Sequence, residues 1–157
     1  MSSIHRLTPK SYFDLRRLLS IQTKPLGKIL QEADLISSLQ LEAALSNQVR
    51  DPSLKIGEIL AQDGLIRPET ADFFVRDWSK VIVESEKSAL GYYLEQAAIL
   101  DRQQIEIVLS QQRATGIRFG TVAVFQGFIK STTLDYFLAN LFPEEMHKSP
   151  FINMYRS

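Results

Sequence analysis

Apolar residues in this chain recur in a short fixed grammar instead of one long amphipathic pattern. An apolar residue and a glycine come together four times, at Leu26-Gly27, Ile56-Gly57, Leu90-Gly91 and Phe119-Gly120. Each glycine is followed three positions later by an apolar residue, and seven positions later by a small or turn residue: Asp34, Gly64, Ala98 and Gly127. An apolar pair four residues apart then closes each copy: Leu41 and Leu45, Ala71 and Val75, Ile105 and Leu109, Leu134 and Leu138. Six of the seven glycines fall on these positions, and the copies begin 30, 34 and 29 residues apart. A repeat at this period outweighs any local reading of secondary structure, and it groups the copies into two pairs.

Each copy predicts two helices around a turn. Leu26 and Leu30 share one face of a short helix that stops near Ala33-Asp34. Ser37 followed three residues later by Gln40 reads as a capping box opening a second helix, whose stripe is Leu41, Ala44 and Leu45, with Gln48 as a further candidate. Gly64-Leu65-Ile66 makes the second turn and Pro68 takes the first helical position, where its missing N–H matters least. Asp101 with Gln104 repeats the capping signal, and in the last copy Gly127 turns the chain while Ser131 or Thr132 caps. The leucine stripes read as core, and the glycines as turns and close-packing points. Two helices alone cannot bury their stripes, so copies should pack in pairs as small helical bundles.

The expected organisation is all-α. A helical arm (1–23) with Tyr12, Phe13, Leu15, Leu18 and Leu19 docks on a first module (24–79). A helix continuing over 80–88 ties it to a second module (89–142), and an irregular tail (143–157) follows. Trp78 is read as a core or inter-module anchor.

Composition removes several function classes. Eighteen basic and eighteen acidic residues cancel, and they are spread rather than clustered, which leaves no electrostatic footprint for nucleic acid. A helix-turn-helix reading of the helix pairs lacks a basic recognition helix, so nucleic-acid binding stands as a minor alternative. The absence of cysteine excludes disulfides and thiolate metal sites. No signal peptide and no run long enough to span a bilayer is apparent, so the expectation is a soluble cytoplasmic protein. The only histidines, His5 and His147, sit one in each terminal segment, and no phosphate-binding loop motif occurs. Carboxylates such as Glu58, Asp63, Glu69 and Asp72 fall where capping and solvation account for them. No enzyme, metal or resident cofactor is predicted.

The apolar-Gly pairs, the turn seven residues on and the Leu-x-x-x-Leu-x-x-Gln ending resemble the N-terminal domain of type II secretion and type IV pilus ATPases. That family includes the MshEN domain, which binds cyclic di-GMP through two tandem motifs. The spacers, six residues from Val49 to Leu54 and five from Arg113 to Ile117, are close to the family's. The family opens each motif with Arg, and here that position holds Pro25, Lys55, Ala89 and Arg118. The closing Gln position holds Gln48, Trp78, Gln112 and Leu141. A guanidinium there suits a phosphate or a guanine, which it can pair with or stack upon. The resemblance therefore implies a ligand set of Leu90, Gly91, Gln112, Arg118, Phe119 and Gly120 in the second module. A weaker set, Leu26, Gly27, Gln48, Lys55, Ile56 and Gly57, falls in the first. It implies a non-catalytic regulatory or adaptor protein that binds partner proteins, such as a pilus or secretion ATPase or another signalling component, with a cyclic dinucleotide as modulator. The alternative is a dedicated cyclic di-GMP receptor; self-association is compatible with either.

Overall fold

The computed structural model of the chain describes Leu19 and residues 24–144. Every regular element among them is a helix, so the protein is all-α. The expected docking of the N-terminal arm and the character of the tail lie outside the described residues.

The four copies fold alike. Four seven-residue helices carry the glycines: α1 (Leu26–Glu32), α3 (Ile56–Gln62), α6 (Leu90–Gln96) and α8 (Phe119–Phe125). Each is followed by a second helix: α2 (Ser38–Arg50), α4 (Pro68–Asp72), α7 (Arg102–Thr115) and α9 (Ser131–Leu141). After α4 the rod runs on through a π-helical turn (Phe73–Asp77) into α5 (Trp78–Val83).

All four glycine helices end in the same way. The residue seven after the glycine is left-handed in every copy, with φ of 56° at Asp34, 73° at Gly64, 54° at Ala98 and 75° at Gly127. Its N–H donates three residues back, and the next N–H donates five back, as Leu35 does to the Leu30 carbonyl and Phe128 to that of Ala123. This Schellman closure satisfies carbonyls that a helix end would otherwise leave open. Both predicted capping boxes form: Ser37 Oγ accepts from the Gln40 N–H at 3.1 Å, and Asp101 Oδ1 from the Gln104 N–H at 2.8 Å.

The second helices bury the expected stripe without the second residue of its apolar pair. The inward positions are the first apolar residue, the one three later and the one seven later. They are Leu41, Ala44 and Gln48 in α2, Ala71, Phe74 and Trp78 across the π-helical turn, Ile105, Val108 and Gln112 in α7, and Leu134, Phe137 and Leu141 in α9. The second residue of each apolar pair lies on a flank. Leu45, Val75 and Leu109 stay 46%, 63% and 36% exposed, and only Leu138 is buried, at 9%. The reason is the angle of approach: the glycine helices press on the first apolar residue, on Leu134 at Gly120 and on Ala71 at Gly57, and leave the flank about forty degrees further round uncovered. The wider π-helical turn serves the same end, bringing Phe73, Phe74 and Trp78 all inward while Asp77 faces solvent.

The helix expected over 80–88 stops at Val83, and Glu84 leaves helical geometry with ψ of 130°. Glu84, Ser85 and Glu86 are exposed and have no apolar group to bury. Lys87 folds back so that its ammonium donates to the Ile82 carbonyl at 3.0 Å and to that of Glu84, closing the helix end.

Within each pair the glycine helices lie together, α1 on α3 and α6 on α8, with α2 against α3 and α7 against α8. Between pairs, α9 packs on α5. Trp78 is wholly buried there, stacked on Tyr136 at 5.6 Å between ring centres and touching Phe137 at 5.1 Å. Buried residues from both halves join in one continuous core.

Candidate functional site

A groove of about 480 Å³ opens between α6, α8, the end of α7 and α9. Five of the six sequence-derived residues of the second module line it: Leu90, Gln112, Arg118, Phe119 and Gly120. The sixth, Gly91, lies beneath it. A Cβ there would sit 2.9 Å from the Phe119 ring, so Gly91 is the seat on which that ring rests. Gly120 is held just as closely, by Leu134 on one side and by Leu90 at 3.2 Å on the other.

The groove has an apolar floor and a polar rim. Leu90, Phe119, Leu134, Leu138 and Phe142 form the floor; Lys87, Ser88, Gln112, Arg118 and Thr121 supply polar groups. No carboxylate of the described residues lines it. Arg118 occupies the residue before α8, exposed, and its guanidinium makes no ion pair among the described residues. The half-buried Gln112 amide likewise has no hydrogen-bond partner among them. Lys87, whose ammonium closes α5, adds a second positive charge at the rim. Together these groups suit an anionic ligand with a broad apolar or aromatic face.

The first-module residues occupy equivalent places but are committed to structure. Leu26 reaches Gly57, 3.1 Å from where a Cβ would be, as Leu90 reaches Gly120. Gly27 is covered by the Leu41 side chain. Gln48 donates to the Leu54 carbonyl at 3.2 Å, pinning the spacer. Ile56 is half-buried, and Lys55 is exposed at the helix start, where its N–H donates to Glu58 at 2.9 Å. Glu58 stands one residue after Gly57, where Thr121 follows Gly120, so a carboxylate occupies the position that is neutral in the second module.

Sequence reading missed Lys87, Ser88, Thr121 and Phe142 as lining residues. Leu134 and Leu138 carried a signal, since they are the closing apolar pair of the fourth copy. The others belong to no motif, and only folding brings them to the groove.

Among known proteins, an uncharacterized protein of Picosynechococcus sp. is 39% identical over 116 residues, a match covering 74% of this chain and 63% of that relative. The chain thus spans less than two thirds of that relative's length. No family profile and no solved structure matches the chain. No helix of the described residues is long and apolar enough to cross a membrane.

Proposed function

We propose that this chain is a non-catalytic regulatory protein that binds a partner protein and whose second MshEN-like module receives a cyclic dinucleotide. One observation carries the ligand half of this reading: five motif positions line one groove where, among the described residues, the Arg118 guanidinium and the Gln112 amide are unpaired and no carboxylate intrudes. Arg118 would pair with a phosphate, Gln112 would hydrogen-bond a base or ribose, and Phe119 with Leu138 would take the base face. Ala89 in place of a second arginine leaves one guanidinium for a ligand with two phosphates, so contact is expected on one side of it. The partner half rests on apolar side chains of the first module, Leu45 and Val49 on α2 and Val75 on the π-helical turn, which stay exposed.

Calorimetric titration with cyclic di-GMP, beside Arg118→Ala, tests the reading. A charge-assisted contact contributes about 1.5–3 kcal/mol, so the substitution is expected to weaken binding by roughly tenfold or more. Binding that is indifferent to Arg118 would move the site out of this groove. No heat at millimolar ligand would remove the nucleotide and leave partner binding through the exposed flank.

A further inference from the structure

Residues from opposite halves of the chain meet at the N-terminal end of α9. Thr132 Oγ1 donates to Asp34 Oδ2 at 2.6 Å, and Thr133 Oγ1 donates to the Ala33 carbonyl at 2.8 Å. Lys130 donates to the Asp34 carbonyl at 3.2 Å, with its carboxylate 3.8 Å away. The acceptors close α1, and Asp34 is the left-handed residue of that turn, a position held by glycine in the second and fourth copies. A carboxylate stands at this backbone site despite the strain a side chain suffers there, and it is used to hold the other half of the molecule.

The same helix then turns its next residues elsewhere. Tyr136 and Phe137 pack on Trp78, while Leu134 and Leu138 form groove floor. Eleven residues of continuous helix connect these contacts. Such a helix is stiff along its axis, because each turn is tied to the next by backbone hydrogen bonds. A shift at its first turn must therefore be felt at Leu134 and Leu138.

We infer that α9 is a relay between the turn after α1 and the groove, with Asp34, Lys130, Thr132 and Thr133 as positioning residues that set the groove floor from the other half of the molecule. This rests on the groove being a ligand site. Linkage then requires that filling the groove strengthen or weaken the latch by the same factor as the latch changes ligand affinity. The exposed Lys130 and Thr132 contacts are the part that can give, whereas the Thr133 bond is buried.

The test uses the full chain with Asp34→Gly, which removes the carboxylate at a backbone position glycine prefers, and Thr133→Val, which keeps the shape and loses the bond. Hydrogen–deuterium exchange is followed along 131–141, together with emission of Trp78, the chain's single tryptophan. Without ligand, both variants are expected to exchange about fivefold faster as far as Leu138 and to shift the Trp78 emission. With cyclic di-GMP, the wild type should bind about fivefold tighter than either variant, and ligand should slow exchange at 134–136. Exchange that rises only at Leu134 and Asp135, with unchanged Trp78 emission and unchanged affinity, overturns the relay. Faster exchange through Leu138 in a protein that binds no cyclic di-GMP upholds the relay and removes the ligand proposed for the groove.

Discussion

Among the described residues Asp135 carries the clearest electrostatic cost. One of its carboxylate oxygens is enclosed without a hydrogen-bond partner, as is the Trp78 indole N–H, and burial raises its pKa above the ordinary 3.8. A carboxyl whose folded pKa is raised binds more protons folded than unfolded, so stability falls as pH climbs from the unfolded value through the folded one. Above that window the full penalty of a desolvated charge remains. Asp135→Asn should therefore unfold at higher urea than the wild type at pH 7, with the advantage shrinking as pH falls toward the ordinary carboxylate range. An advantage independent of pH would mean that packing, not charge, is what the substitution changes. The left-handed positions show a second residue-scale rule. Ala98 adopts the same backbone as Gly64 and Gly127 with no side-chain hydrogen bond in return, while Asp34 has the contacts to Thr132 and Lys130.

At the scale of elements, the repeated apolar pair is two different things. Its first member is packed under a glycine helix, and its second lies on an open flank unless something else covers it. In the fourth copy the neighbouring loop and Phe142 come over Leu138, and a groove results; in the third copy Leu109 at the same position stays open. Truncations should separate the two environments. Leu138→Ala is expected to cost about 2–3 kcal/mol in urea unfolding, as buried leucines do. Leu109→Ala should cost under about 1 kcal/mol, since surface changes away from special features are small. Equal costs would mean that the flank is covered in solution, by self-association for instance, and sedimentation of the two variants would show it. The two glutamines at the closing position differ in what folding sets beside them. The longer spacer after α2 brings the Leu54 carbonyl within reach of Gln48, whereas Gln112 is left facing the groove.

For the molecule as a whole, the seam at Trp78 decides how the halves behave. Five aromatic rings, from Phe73 and Phe74 through Trp78 to Tyr136 and Phe137, bridge the two pairs of copies, and the core has no break between them. Domains that share a core unfold together. Urea unfolding followed by far-ultraviolet circular dichroism, which reports all helices, and by Trp78 emission, which reports the seam, should give coincident midpoints. Two separated transitions would show that each pair of copies is stable alone and that the seam is a docking contact.

Much of this was legible in the chain before folding. The four-fold repeat, the two capping boxes, the Pro68 start and the turn after each glycine helix are set by contacts within about seven residues, where a residue's own geometry and hydrogen-bonding groups decide the backbone. The motif also named five residues of the groove lining, because close-packed glycines and the residues flanking them recur at fixed spacing. The tertiary structure alone decided the rest. It ended the connecting helix at Val83, where exposed charges gave it nothing to bury, and it left Leu45 and Leu109 on an open flank. It assigned Gln48 to the spacer and Gln112 to the groove, and it set Asp34 against Thr132 across 98 residues of chain. The angle between two helices and the meeting of distant segments depend on the summed packing of all their side chains, a quantity that no short stretch of sequence contains.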